Sequence, residues 1–269
     1  MRSPLRLLTT YVCAALVVSL CAAQEKKEIR DDFKKFFDAF KVEGSFALYD
    51  LNNDSYLFCN EGQFKQPFIP ASTFKICNSL IGLETGVVKD ESVVFKWDGV
   101  VRPVVEWNRD QDMKTAFRNS TVWYYQELAR RIGGRRMKYW IDKVIYGNAD
   151  TSGGIDAFWL AGGLRTSPEQ QIVFLKRLYK KDLPFSEKSM DIVKKIMIVQ
   201  DTAGFTFRAK TGRSEQDGKS IGWYVGYLAT TTGTYFFATC IQCSDLENPD
   251  FAKSRREITL SILKTLKLL

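Results

Sequence analysis

A serine and a lysine three residues apart have the types and spacing of a nucleophile with its own base. Pro70 stands just before a run with helical periodicity, so Ser72 falls in or near the first turn and Lys75 lies on the same helix face. A serine hydroxyl is a poor nucleophile until a base takes its proton, and a neutral lysine is such a base. The apolar neighbours Phe74 and Ile76 favour the neutral amine. Taken alone, the pattern also fits a capping serine beside a surface lysine.

Two other short segments carry side chains that could assist this serine. Ser120-Thr121-Val122 begins a predicted helix, where the serine can relay a proton to a leaving nitrogen or can simply cap the helix. Lys210-Thr211-Gly212 ends a predicted strand, where the lysine can hold a substrate carboxylate and the glycine lets an extended substrate lie along the strand edge. A solvated lysine at a strand end is the more common structure, so each segment is weak evidence alone.

The chain contains no histidine. This absence excludes every Ser-His-Asp and Cys-His mechanism, and it argues against a catalytic zinc site, whose ligands usually include histidine. We therefore expect no metal. The base of a hydrolytic reaction must then be a lysine, a tyrosine or a carboxylate, and Lys75 is the candidate beside Ser72.

The elements that position these residues follow from the periodicity of the apolar residues. An amphipathic helix is predicted over Ile29–Phe40, and the middle of the chain, from about residue 72 to residue 195, is mainly helical. The predicted strands are Ser45–Leu51, Tyr56–Cys59, Phe205–Thr211, Gly222–Ala229 and Thr234–Gln242. The predicted helices of the middle and the end include Thr121–Ile132, Pro168–Tyr179 and Ala252–Lys267.

This order of elements predicts an α+β fold. An antiparallel sheet would be built from both chain ends and flanked by helices, and an all-helical lobe would be inserted between its two halves. The active site would lie in the cleft between the sheet and that lobe.

The first 23 residues have the pattern of a secretory signal peptide. Arg2 and Arg6 precede an apolar run over residues 11–21, and two alanines follow it. The run is short for a membrane span, although an uncleaved anchor would share these features. We expect a secreted or periplasmic protein with one catalytic domain over residues 24–269 and no stable membrane insertion.

The charge of the chain is positive but dispersed. The formal net charge is +8, and removal of the signal takes away two arginines and no acids, which leaves +6. Because the basic pairs are spread along the sequence, they predict a solvated surface rather than a nucleic-acid site. A mild positive field would favour small anionic substrates.

The three motifs occur in the order S-x-x-K, S-x-V and K-T-G, which resembles the penicillin-recognising serine acyltransferases. Further segments resemble the class D (oxacillinase) serine β-lactamases: a Y-G-N element at Tyr146-Gly147-Asn148 and an F-W-L element at Phe158-Trp159-Leu160. Phe95–Gly99 and Gly222–Gly226 are also similar to family segments. The resemblance runs from about residue 40 to the last helix. It implies hydrolysis of the β-lactam amide bond of penicillin-type antibiotics through an acyl-serine, which confers resistance.

The resemblance implies a role for each matching position around the base. Lys75 would react with CO2 to give a carbamate, N6-carboxylysine, which would act as the base in acylation and in deacylation; no other cofactor is expected. The indole N–H of Trp159 would hydrogen-bond this carbamate, while Val122, Phe74 and Leu160 keep the pocket apolar. By its position alone, Trp159 could equally be an aromatic residue of the core.

Other implied roles concern the substrate. The backbone N–H groups of Ser72 and of the residue after K-T-G would form the oxyanion hole, and Ser120 and Lys210 would shuttle the proton. Arg255 begins an R-x-x-I element like that of the family, and Arg256 is adjacent, so either could be the carboxylate ligand or part of a solvated helix face. The substrate-binding residues would be Thr211, Gly212, Arg213 and Arg255.

The cysteines predict no redox function. Cys240 and Cys243 lie in a strand-like run, whereas a reactive Cys-x-x-Cys pair favours a helix N-terminus. Some members of the family staple an early hairpin with a disulfide, but Cys59 has no nearby partner in the sequence, so we expect no such bond.

Two other functions share the three motifs. A β-lactam sensor domain stays acylated and follows several transmembrane helices, and a D,D-peptidase acts on the cell wall. The signal-like start, the length of the chain and the tryptophan element favour a β-lactamase. The sequence leaves open whether the protein is a monomer or a homodimer and which β-lactams it prefers.

Overall fold

The computed structural model describes residues 26–269. The predicted signal peptide, residues 1–23, lies outside the described residues. The strands are β1 (Lys26–Ile29), β2 (Glu43–Asp50), β3 (Ser55–Cys59), β4 (Val94–Phe95), β5 (Gln111–Asp112), β6 (Ile198–Asp201), β7 (Phe205–Gln216), β8 (Lys219–Thr230) and β9 (Thr234–Cys243). The α-helices are α1 (Lys34–Asp38), α2 (Lys75–Glu84), α3 (Met113–Arg118), α4 (Val122–Ile132), α5 (Gly134–Val144), α6 (Pro168–Tyr179), α7 (Glu187–Ile196) and α8 (Phe251–Thr265).

Both ends of the chain contribute to one seven-stranded sheet, in the order β1-β3-β2-β9-β8-β7-β6. The strands pair antiparallel except for β1 and β3, which pair parallel. The helices α2 to α7 lie between β3 and β6 in the sequence and form the inserted lobe, apart from the short pair β4 and β5. The predicted α+β architecture is therefore confirmed.

The longest strands are joined by tight turns whose sequences favour a hairpin. Asp217 and Gly218 connect β7 to β8, and both have positive φ angles, 52° and 73°. Such angles fit the right-handed twist of paired strands, and aspartate and glycine tolerate them at low cost. These turns fix the register that places Thr211 opposite Tyr224 and Gly212 opposite Trp223.

The sheet separates two apolar layers. Along β2, Ala47 and Tyr49 belong to the layer shared with the helical lobe, whereas Phe46 and Leu48 belong to the layer covered by α1 and α8. This alternation is the period-two pattern of a strand. Since β8 is buried on both faces over most of its length, the sheet forms the centre of the protein.

The predicted helix over residues 29–40 is wrong in its first half. Residues 26–29 form β1, which pairs with β3, and a 3-10 turn leads into the five-residue α1. The phenylalanine spacing nevertheless buries Phe33 and Phe37 against α8 and the sheet. Pairing with the sheet edge satisfies the backbone groups of residues 26–29, and it outweighs the local helical pattern.

The other predicted elements are confirmed with shifts at their ends. The largest shift is in β7, which continues to Gln216, so Lys210-Thr211-Gly212 lies within the strand and the prediction that it ends the strand is wrong. The helix α6 begins with a capping box between Ser167 and Gln170 and has a proline at its first position. Cys240 and Cys243 are buried on β9 in opposite layers, as expected for strand residues. No helix within residues 26–269 is long and apolar enough to cross a membrane.

Candidate active site

Ser72 lies in a 3-10 turn, Ala71–Phe74, that leads directly into α2. The turn is held from three sides. The Thr73 hydroxyl donates to the Pro70 carbonyl at 2.7 Å and accepts from Nε2 of Gln171 on α6 at 2.8 Å, and the indole of Trp223 donates to the carbonyl of Ile69 at 2.8 Å. Because both the sheet and the helical lobe fix this turn, Ser72 has a defined position between them.

Lys75 is the first residue of α2, and its side chain is fully buried. Its Nζ lies 2.5 Å from Oγ of Ser72 and 5.4 Å from the centre of the Tyr125 ring. Burial lowers the pKa of Lys75 to about 7, because the ammonium form loses its hydration there. A substantial fraction of this side chain is therefore a neutral amine near neutral pH, beside the serine hydroxyl.

Ser120 lies between two lysines. Its Oγ is 3.4 Å from Nζ of Lys75 and 3.0 Å from Nζ of Lys210. The capping alternative for Ser120 is wrong: Ser120 has a φ of 54°, and Thr121 precedes the first residue of α4. A left-handed conformation is costly for a residue with a side chain, and here it turns the hydroxyl into the site between the lysines.

Lys210 of β7 is almost completely buried. Burial lowers its pKa well below the usual value, and the positive charges of Lys75 and Arg255 lower it further. Its Nζ also donates to the backbone carbonyl of Thr211 at 3.1 Å. The structure thus assembles Ser72, Lys75, Ser120 and Lys210 into one hydrogen-bonded chain.

Trp159 is buried, with its ring centre 5.4 Å from that of Phe74, the residue before Lys75 in the sequence. It belongs to a loop between α5 and α6 whose two ends are held together by Asn148. The Asn148 side chain donates to Gly163 and accepts from the backbone N–H of Arg165, both at 2.9 Å. Asn148 of the Y-G-N element therefore holds the two ends of the tryptophan loop together.

The apolar residues predicted around the base occupy two elements. Val122 is the first residue of α4, and Leu160 follows Trp159; both are partly exposed. The Leu160 carbonyl accepts a hydrogen bond from the Ser214 hydroxyl of β7, which links the tryptophan loop to the sheet. Arg130 of α4 forms an ion pair of 2.6 Å with Asp156, which links α4 to the tryptophan loop.

Arg255 and Arg256 face different surroundings. Nη1 of Arg255 donates to the Gly212 carbonyl, and burial together with the charges of Arg213 and Arg256 lowers its pKa to about 10. Arg256 is exposed, and its guanidinium lies 5.9 Å from the centre of the Tyr224 ring. Arg255 is thus the arginine tied to the K-T-G strand.

Gly212 has a structural role that the sequence did not indicate. A Cβ at this position would lie 2.9 Å from the Pro70 carbonyl oxygen and 3.2 Å from Cγ2 of Thr73. The absent side chain therefore lets β7 approach the turn that carries Ser72. The next residue, Arg213, is exposed, with its guanidinium 5.6 Å from the Phe251 ring.

Sequence reasoning missed Gln171 and Tyr125. Gln171 is a buried polar residue among the apolar residues of α6, and this position was a signal that it has a polar partner. Tyr125 lies one turn after Val122 on α4, and its hydroxyl is 2.9 Å from the Ser79 hydroxyl. The available signal was that Tyr125 follows Val122 by three residues and so lies near the same face of α4.

Comparison with known proteins agrees with this geometry. Residues 40–264 match the family model of the penicillin binding protein transpeptidase domain. Beta-lactamase OXA-48 of Klebsiella pneumoniae is 40% identical over 265 residues, which are 98% of each chain. The chain belongs to the class D β-lactamase family. It is a serine enzyme of the hydrolase class.

Solved structures show the same relationship. A class D β-lactamase from Nostoc is 46% identical and superposes with a TM-score of 0.84, covering 88% of this chain and 99% of that one. The regulatory protein BlaR1 of Bacillus licheniformis is 36% identical over 87% of this chain, but the match covers only 38% of that protein. The similarity to β-lactamases therefore extends over whole chains.

Proposed function

We propose that this class D β-lactamase hydrolyses the amide bond of penicillin-type β-lactams through a covalent acyl-Ser72. The observation that carries the proposal is the contact between Ser72 Oγ and the buried Lys75 Nζ, whose pKa is about 7. A base of this kind can take the hydroxyl proton as the oxygen attacks the carbonyl. The relatives named as β-lactamases support the same reaction.

In acylation, the bond between the carbonyl carbon and the ring nitrogen breaks as the ester to Ser72 forms. The leaving nitrogen needs a proton, and Ser120 is placed to deliver it, because its hydroxyl lies between Lys75 and Lys210. The backbone N–H groups of Ser72 and Arg213 would stabilise the oxyanion. Deacylation then requires a base that activates water at the same place.

CO2 is the proposed source of that second base. The neutral Lys75 amine would take up CO2 as a carbamate and release a proton, and the carbamate supplies a carboxylate base for both half-reactions. The residues fit such a group: Lys75 is buried, Lys210 shares the Ser120 hydroxyl with it, and Trp159 packs against Phe74, the residue before Lys75. Val122 and Leu160 would limit the entry of water.

Substrate binding is assigned to the cations at β7. The substrate carboxylate would be held by Lys210 and Thr211 from the strand and by Arg255 from α8, whose contact with Gly212 fixes it to that strand. Gly212 would leave the strand edge open to the rest of the substrate. A penicillin is thus oriented with its carbonyl at Ser72.

The test compares the wild type with Ser72→Ala on benzylpenicillin. We expect the variant to lose several orders of magnitude in kcat, since no other nucleophile is placed at the site. Mass spectrometry of the wild type should show a transient adduct on the Ser72 peptide. A label on another serine would contradict the assignment.

The lifetime of the adduct separates the alternatives. After mixing with excess penicillin, fast turnover and rapid loss of the adduct once the penicillin is consumed indicate a β-lactamase. A persistent adduct indicates a sensor domain or a D,D-peptidase. We also propose that the protein is exported, to the periplasm or beyond the cell, and gives resistance to β-lactams. Export rests on the pattern of residues 1–23 and is tested by N-terminal sequencing of the mature protein.

A further inference from the structure

A recess lies beside the middle of β7, where Lys210 and Thr211 line it. Its volume is about 550 Å³, and it lies between α3, the junction of α7 with β6, the strand β7 and the start of α8. The floor is apolar and includes Phe117, Ile196, Met197 and Ala209. Lys210 lines the recess and also contacts Ser120, so the recess adjoins the site at this side chain.

Among the described residues, the wall of the recess contains basic residues and no carboxylate. Its exposed cations are Lys114, Arg118, Lys195 and Arg256, whereas Lys210 is buried and has a lowered pKa. Lys195 pairs with Glu91 at 2.7 Å, but Glu91 does not line the recess. Among residues 26–269, no carboxylate forms an ion pair with Lys114, Arg118 or Arg256, and all three are exposed. The wall therefore has an uncompensated positive potential at its rim.

We propose that this cationic recess binds a second anionic group of the substrate, carried on the ring that bears the substrate carboxylate. The inference rests on the proposed function, in which Lys210 and Thr211 hold the ring carboxylate. A substituent on that ring would then project toward the recess. A short apolar arm that ends in an anion would cover the floor and place its charge at Lys114 and Arg118. The substrate class is a dianionic cephalosporin-type β-lactam.

The strength of this preference follows from the exposure of the cations. Solvent-exposed charges attract an anion weakly, so Lys114 and Arg118 each contribute a modest factor. Two of them acting on one anion should give a roughly fivefold preference for the dianion over a matched monoanion. Added salt should reduce it, because ions screen exposed charges.

The test uses two cephalosporins that differ only at the end of the ring substituent, which is a carboxylate in one and a carboxamide in the other. Each is used as a competitor of benzylpenicillin hydrolysis, so the apparent inhibition constant is measured whether or not the competitor is turned over. The wild type should prefer the carboxylate, and Lys114→Gln/Arg118→Gln should lose that preference. Arg135→Gln, which removes an exposed cation on α5 outside the recess, should keep it.

The outcomes distinguish this inference from the proposed function. If benzylpenicillin is hydrolysed but the wild type does not prefer the carboxylate, or neither competitor inhibits, the cationic recess has no such role. The same follows if the double variant keeps the preference. If benzylpenicillin itself is not hydrolysed, the proposed function fails and the inference fails with it.

Discussion

Lys75 and Lys210 both lie within hydrogen-bond distance of the Ser120 hydroxyl, and burial lowers the pKa of both. A positive charge on Lys75 would further lower the pKa of Lys210, which burial already lowers. In the proposed mechanism a carbamate on Lys75 is negative, so its effect on Lys210 reverses and raises that pKa. Lys210 then becomes the cation that a substrate carboxylate needs. The protonation states of the two lysines are therefore coupled.

The CO2 dependence of activity follows from the pKa of Lys75, which is about 7. Below this pH the side chain is mainly ammonium, which cannot react with CO2, and above it the neutral amine predominates. We expect penicillin turnover in degassed buffer to be low at about pH 6, to rise with pH and to recover when bicarbonate is added. Initial rates with and without bicarbonate measure this.

A matched variant of the neighbouring indole provides the control for this experiment. Trp159→Phe keeps an aromatic ring against Phe74 but removes the N–H, so it should need more bicarbonate and slow deacylation more than acylation. Absence of any bicarbonate response across this pH range would contradict the carbamate mechanism. Ser72 would remain the proposed nucleophile.

The two neighbouring arginines should differ in their effect on penicillins. Arg255→Ala and Lys210→Ala should each lower kcat/KM by about 2 kcal/mol, or about thirtyfold, because each removes a charge-assisted hydrogen bond to the carboxylate. Arg256→Ala is the control, since Arg256 is exposed and is not tied to Gly212. A large effect at Arg256 with none at Arg255 would show that the R-x-x-I element is misassigned.

At the scale of elements, the site depends on how closely β7 approaches the turn before α2. Gly212 makes this approach possible, since a Cβ would lie within 3.3 Å of Pro70, Thr73 and Trp223. The same turn is fixed from the other side by Gln171 of α6. The distance between the strand and the turn therefore affects whether Lys210 reaches Ser120 beside the nucleophile.

Gly212→Ala should test this packing. The added methyl group would push β7 away from the turn, and overpacking of this kind costs about 1–3 kcal/mol of the free energy of unfolding. We expect a lower midpoint in urea and a lower kcat. Gly204→Ala, in the loop before β7, is the control, because a Cβ there meets no atom within 4 Å. Equal behaviour of the two variants would show that the close approach is unimportant.

At the scale of the whole molecule, the site lies where the helical lobe meets a sheet made from both chain ends. The turn of Ser72 and the serine of the S-x-V motif belong to the lobe side, and Lys210 belongs to the sheet. The chain is also basic, with a formal net charge of +8. Penicillins are anions, so the field of the protein should assist their approach.

Ionic strength should therefore change the rate of capture more than the rate of turnover. Between about 10 mM and about 500 mM salt, we expect kcat/KM for benzylpenicillin to fall roughly threefold, while kcat stays nearly constant. Steady-state kinetics in two chemically different salts measure this and separate screening from binding of a particular ion. A fall in kcat that depends on the salt used would contradict an origin in the field of the protein.

The sequence by itself determined the family and the class of fold. The absence of histidine and the order of the three motifs made Lys75 the candidate base for Ser72, and period-two patterns located the long strands. These are local properties, since a motif or an alternation is complete within a few residues. The start of the helix predicted over residues 29–40 shows the limit, because residues 26–29 pair instead with β3, about thirty residues further along the chain.

Only the tertiary structure decided how the motifs meet. Ser120 and Lys210 are 90 residues apart in the sequence, and the left-handed conformation of Ser120 turns its hydroxyl between the two lysines. The choice of Arg255 over Arg256 at the strand likewise depends on how α8 packs on the sheet. Such contacts arise from burial between distant elements, and burial is also what lowers the pKa of Lys75. A single sequence carries no local signal for these long-range contacts or for the extent of burial at Lys75.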